Sequence, residues 1–190
     1  MPSYIKDSHT ATHYNKWNSD PDQWRLNQAI SGGGALPDLG VYPLNTSRFL
    51  LGSDPVRVLG SAISTHEPFS EVDEHIIFQL FFPDDVLATY TASFSVQPNS
   101  RLYVLGTEGQ LAITAPFGGE VPQHIVIERG ELQTEHTGPA VDEVLEEFDY
   151  FANHILTDRK PEPDGADGLK DVEIIEKIYE STESKCWEPL

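Results

Sequence analysis

The sequence predicts an α+β fold: a large, mostly antiparallel β-sheet with helices packed on one face. Three observations lead there. Between residues 55 and 136, apolar side chains recur at alternate positions in segments separated by short turn sequences, the pattern of consecutive antiparallel strands. After Pro139 the apolar period lengthens to that of a helix. Runs of strands followed by runs of helices, with no βαβ alternation, give two layers rather than a parallel sheet. At 190 residues the chain has the length of about one domain.

The elements follow in order. Residues 1–27 are polar, with Tyr4, Tyr14, Trp17 and Trp24 scattered among them; a short strand over about residues 7–14 and a loop through Pro21 are expected. Gly32, Gly33 and Gly34 then supply a permissive backbone. Pro37 suits the first turn of a helix running to Leu51. Pro43 lacks an N–H for an interior bond, so either the helix bends there or it settles only after Tyr42. Gly52 suits the stop. Strands are predicted over 55–66, 72–82 and 86–96, the last two joined by Pro83, Asp84 and Asp85, a turn sequence. Residues 101–105 and 110–114 flank a four-residue hairpin connection, Gly106 to Gly109. A further hairpin, 124–128 with 131–136, turns at Arg129 and Gly130. In 72–82, Ile76, Phe78, Leu80 and Phe82 share one face, and His75, Ile77, Gln79 and Phe81 the other. The second face needs cover from helices, another domain or another copy of the chain. Val141, Val144, Leu145, Phe148, Phe151, Ala152 and Ile155 mark a helix to about residue 156. A proline-containing loop, 157–165, leads to a last helix carrying Leu169, Val172, Ile175, Ile178 and Tyr179.

Charge narrows the function. Thirty-one acidic against 12 basic residues give −19, which excludes the basic stripe that nucleic acid requires and disfavours acidic membrane surfaces. No apolar run approaches the ~18 residues of a membrane helix, and MPSYIKDSHT has no secretory apolar region; a soluble, cytoplasmic protein is expected. Self-repulsion at this charge points to a salt-rich, halophilic cytoplasm, the alternative being an ordinary acidic protein. The single cysteine, Cys186, excludes an internal disulfide and reads as an inert thiol. No metal site is expected: His9 and His13 fall on a predicted strand, where their spacing gives no chelating face.

The candidate chemistry lies in residues 32–45. On a helix Asp38, Tyr42 and Asn45 share a face. A carboxylate that accepts from hydroxyls, a phenol that transfers a proton and an amide that fixes orientation suit a polyol. Two other readings stay open: Asp38 caps the helix, and Tyr42 is a core aromatic. Trp24 and Arg25, just upstream, either line the pocket or pack against the glycine run.

The run Trp24-Arg25-Leu26, then Gly32 to Asn45, then Arg48 to Gly52, closely resembles the glucose–fructose oxidoreductase / inositol dehydrogenase / MocA family. Leu105 to Gly109 is similar to the family's G-T-x-G hairpin, and residues 146–155 and 168–179 to its closing helix pair. The likeness covers the family's C-terminal half and is nearest the glucose–fructose oxidoreductase and NADP-dependent xylose dehydrogenase branch. It implies that Asp38, of the D-x-x-x-[YH] motif, orients substrate hydroxyls and that Tyr42 takes part in proton transfer. Asn45, Arg25 and Trp24 are candidate substrate contacts. The implied reaction is oxidation of a sugar or polyol hydroxyl by NADP or NAD. No GxGxxG occurs, since Ala35 and Leu36 follow the glycine run, and the Glu-Lys-Pro motif with the family's lysine is absent. Residues 1–190 are therefore expected to be the substrate-binding and oligomerisation domain without its N-terminal dinucleotide-binding domain, forming a homo-oligomer through the sheet and inactive alone. Ionising a tyrosine of pKa ~10 at pH 7 costs about 4 kcal/mol, and no lysine stands near Tyr42 in the sequence to offset it. The rival from another class is a non-catalytic standalone sheet domain that binds sugar or protein.

Overall fold

The computed structural model describes residues 8–11, 23–117 and 121–190. The predicted loop through Pro21, His13 and Trp17 lie outside them. Among the described residues nine strands form two sheets. The first has the order β1-β4-β3-β2-β9, from β1 (Ser8–Ala11), β2 (Arg57–Ile63), β3 (His75–Phe81), β4 (Leu87–Ser93) and β9 (Glu188–Pro189). The second is the meander β5 (Arg101–Leu105), β6 (Gln110–Thr114), β7 (His124–Arg129) and β8 (Leu132–Thr137). Among the described residues only β1, parallel to β4, departs from antiparallel pairing. The mostly antiparallel sheet foreseen from the sequence is thus present, divided in two, with β1 beside both β4 and β5.

Turn chemistry sets the registers. Asp84 and Asp85 both adopt positive φ between β3 and β4, the twist that suits a tight connection of antiparallel strands. Gly106 N–H donates to Gly109 O at 2.8 Å, closing the β5–β6 hairpin. The resulting pairs Val58–Leu80 and Phe78–Tyr90 put the period-two residues on one side. There Val58, Ile76, Phe78 and Leu80 are buried against Leu36, Leu44, Ile174 and Ile178. The other face of β3 remains partly open, with Ile77 exposed.

Three long helices follow from the sequence. α1 (Val41–Leu51) ends at Gly52, whose φ is +61°. It is entered through a π-turn, Leu36–Gly40. Of the two expected irregularities at Pro43 the second is close to what is seen: the helix expected from Pro37 settles into regular α geometry only at Val41. The wider turn before the proline relieves the clash of its ring with the preceding carbonyls. α2 (Glu143–Leu156) is capped by Asp142, which accepts from the Leu145 N–H at 3.0 Å. Asp164 caps α3 (Gly165–Ser184) by accepting from Ala166 and Asp167.

α1 and α3 lie on the sheet, α3 so closely that a Cβ on Gly60 of β2 would fall 2.8 Å from the Ile178 carbonyl oxygen. The Gly60 N–H donates to Ser181 Oγ at 3.0 Å. α2 departs from the expected packing. Its apolar stripe, including Phe148 at 70% and Ile155 at 66% exposure, faces away from the core. No described helix is long and apolar enough to cross a membrane.

Candidate active site

The site forms where the glycine run enters the π-turn. Gly32 ends a single helical turn, Gln28–Ser31, with φ +76°. Gly33 and Gly34 then pass close to the start of β3 and to α3. A Cβ on Gly33 would overlap the Tyr179 hydroxyl, and one on Gly34 the Asp73 backbone, 2.9 Å from its N and C atoms.

Asp73, just before β3, anchors this segment. Its Oδ1 accepts from the Gly34 N–H at 2.7 Å and its Oδ2 from the Leu36 N–H at 2.8 Å. The Ala35 N–H donates to its backbone carbonyl at 2.9 Å, and Tyr179 donates its hydroxyl to Oδ1 at 2.6 Å. The otherwise unpaired donors at the head of the helix are satisfied by a remote carboxylate, where the helix dipole also favours negative charge. Burial pushes the Asp73 carboxyl above its ordinary range, opposed by the bonds from Tyr179, Gly34 and Leu36. Burial and then the charge of Asp73 raise the Tyr179 phenol.

With Asp73 in the capping role, Asp38 is free of it. Asp38 Oδ1 instead accepts from Arg25 Nε at 2.9 Å, and the Arg25 guanidinium carbon stands 4.4 Å from the Trp24 ring centroid. Trp24, Arg25 and Asp38 meet with Ser31, Gly33, Gly34 and Pro37 around an open cleft of about 80 Å³. The cleft presents a carboxylate acceptor, a guanidinium donor and an indole face, a combination able to bind a hydroxylated molecule.

Tyr42 follows one turn along, outside the lining of the cleft. It is 52% exposed, so it is no core aromatic. Its ring lies beside Phe117, centroids 6.0 Å apart.

Asn45 is not brought to this site. Its Nδ2 donates to Asp171 at 2.8 Å and to Asp167 at 3.2 Å, next to Arg48, which pairs with Asp54, Asp167 and Asp171. The face shared by Asp38, Tyr42 and Asn45 on an ideal helix therefore divides between the cleft and a strut to α3.

A second carboxylate adjoins the anchor. Fully buried Glu74 accepts from the Thr65 N–H at 2.7 Å, the His66 N–H at 3.1 Å and Thr65 Oγ1 at 3.0 Å, and the His66 ring lies 2.6 Å from its Oε1. Burial works against its charge, yet bonds from Ser95, Thr65 and His66 outweigh it and bring the pKa down to about 2. Sequence reasoning missed Asp73, Glu74 and Tyr179. A signal existed for Glu74, which has the parity of Ile76, Phe78 and Leu80 and so puts a charge on the core face of β3.

Residues 8–112 match the GFO/IDH/MocA C-terminal domain. Over 167 residues the chain is 44% identical to D-xylose 1-dehydrogenase (NADP(+)) of the halophile Haloarcula marismortui, covering 87% of this chain and 46% of that protein. It is 25% identical over 166 residues to D-xylose 1-dehydrogenase (NADP(+)) 2 of Haloferax volcanii, covering 86% and 50%. Among solved structures, the aldose-aldose oxidoreductase of Caulobacter crescentus, complexed with glycerol, superposes with a TM-score of 0.83 at 33% identity, over 97% of this chain and 54% of that one. The chain belongs to the GFO/IDH/MocA oxidoreductase family and carries its C-terminal domain. It spans about half the length of these relatives.

Proposed function

We propose that this chain is the substrate-binding half of an NAD(P)-dependent oxidoreductase that oxidises a sugar or polyol hydroxyl. The observation that carries the reading is the Arg25–Asp38 pair at the mouth of the glycine-walled cleft, with an exposed Tyr42 phenol one helical turn away. Asp38 and Arg25 bind and orient neighbouring hydroxyls. Tyr42, as phenolate, accepts the proton of the hydroxyl being oxidised, a role that a neighbouring cation favours by stabilising the charged form. Arg25 is engaged with Asp38, so the cation comes from elsewhere in the complete enzyme.

The chain has no GxGxxG sequence, the glycine-rich turn on which a dinucleotide's pyrophosphate rests. The nicotinamide that would take up the hydride therefore belongs to polypeptide outside this chain. We infer that the chain alone binds NADP(H) weakly and turns over no sugar. The exposed face of the first sheet, with Ile63 and Ile77, is proposed to meet a second copy, and the charge of −19 to suit a salt-rich cytoplasm.

The test is a fusion. The part of the Haloarcula marismortui xylose dehydrogenase that this chain does not match is joined ahead of residue 1. NADP+ reduction is then followed with a panel of aldoses and polyols. Aldose-dependent reduction by the fusion but not by the chain is expected. Binding of aldose without turnover, in a fusion that binds NADP+, would instead mark a non-catalytic module.

A further inference from the structure

The ring beside Tyr42 comes from the second sheet. Phe117 follows β6, and its ring is tilted by 31° against that of Tyr42 at a centroid distance of 6.0 Å. The chain reaches this position through an unusual backbone: Ala115 has φ +54°, in a region that a residue with a Cβ occupies only where its surroundings impose it, and such positions cluster at functional sites. Its surroundings do impose it. The Ala115 N–H donates to Ser100 O at 2.9 Å, Pro116 fixes its own φ, and Gln123 Nε2 donates to Pro116 O at 3.3 Å. The backbone is thus held at Ala115 and Pro116, immediately before Phe117.

Tyr42 has the opposite character. It projects from the first turn of α1, is 52% exposed, and no hydrogen bond of its hydroxyl is found among the described residues. A phenol in that setting samples several rotamers, and proton transfer needs one of them. A neighbouring ring favours that one, and Phe117 stands beside the phenol at a centroid distance of 6.0 Å.

We propose that Phe117 is a positioning residue for Tyr42, holding the phenol in the rotamer that faces the hydroxyl to be deprotonated. This rests on the reading of Tyr42 as the proton-transfer group. Phe117 makes no chemical step of its own; it acts through the geometry of its neighbour, where a misplacement of about 1 Å suffices to cost up to ~100-fold in rate.

The experiment is a double-mutant cycle in the fusion protein, with aldose oxidation as readout. Phe117→Ala is expected to lower kcat about tenfold while KM stays within about twofold, the signature of lost orientation rather than lost binding. Phe117→Tyr, which keeps a flat ring, is expected to restore kcat. In the Tyr42→Phe background, where no hydroxyl remains to be aimed, Phe117→Ala is expected to change nothing further. Phe117→Leu, which preserves apolar volume, serves if the alanine variant fails to fold, and is expected to lose kcat only while Tyr42 keeps its hydroxyl. An equal loss in both backgrounds, a rise in KM with kcat unchanged, or no effect in the wild-type background overturns the proposal. If Tyr42→Phe itself leaves kcat intact, or the unsubstituted fusion oxidises no aldose, the parent reading of the site fails and this inference falls with it.

Discussion

Gly34→Ala is the sharpest perturbation of the segment that builds the cleft. The added methyl would overlap the Asp73 backbone, with its N and C atoms 2.9 Å away. Backbone cannot swing aside as a flexible side chain does, so the glycine run has to move. Overpacking of this kind costs about 1–3 kcal/mol. Movement also weakens the bonds from Gly34 N–H at 2.7 Å, Leu36 N–H at 2.8 Å and Ala35 N–H at 2.9 Å to Asp73, each worth about 1 kcal/mol net. With the equivalent of two of these three bonds lost, a total of about 3–5 kcal/mol follows, a large share of the ~5–15 kcal/mol that holds a domain folded. Gly32→Ala is the control. Gly32 has φ +76° with nothing within 4 Å of a Cβ, so only the left-handed strain of about 1–2 kcal/mol applies. Urea unfolding in molar KCl, followed by circular dichroism, gives both values from the midpoints at constant slope. If Gly34→Ala is no more destabilising than Gly32→Ala, the close approach to Asp73 is not what fixes the loop.

Three further outcomes are expected. Arg48→Ala, which leaves Asp171 largely buried without its partner at 2.6 Å, should cost about 3–5 kcal/mol; a loss under about 1 kcal/mol by the same urea assay would show the strut to be dispensable. Glu74 has a folded-state pKa of about 2 against 4.5, so its contribution is present above pH 4.5 and is lost as pH falls towards 2. A stability loss of about 3 kcal/mol across that window should be flattened in Glu74→Gln, and an unchanged pH profile would remove the assignment. At −19, melting temperature should rise from dilute buffer to molar KCl, where the screening length drops to about 3 Å; melting indifferent to salt would contradict the halophilic reading.

The strands were legible because their information is local. Alternation in residues 72–82 sorted Ile76, Phe78 and Leu80 into the core, and the glycines at 106 and 109 marked the hairpin whose strands span Arg101–Leu105 and Gln110–Thr114. β9 was not legible, since a strand of two residues, Glu188–Pro189, has no period to read. Periodicity found α2 but not its environment, because a stripe such as Val144, Phe148 and Ile155 reads the same whether it is covered or open.

The site was half legible. Asp38 and Tyr42 stand out by spacing, and the structure keeps both accessible. The ideal helix that put Asn45 beside them gives way to a π-turn, and the amide goes to Asp167 and Asp171. Asp73, Tyr179 and Phe117 come from other elements, 30 or more positions away in sequence. Without a fold, nothing in a short window connects Asp73 to Gly34 or Phe117 to Tyr42.

The most direct measurement is kcat/KM for aldose oxidation by the fusion carrying Asp38→Ala or Tyr42→Phe, with folding verified by circular dichroism. Each variant should lose about 100- to 10,000-fold, the span of a positioned acid–base group. Near-unchanged activity in both would contradict the assignment of this carboxylate and phenol to the substrate.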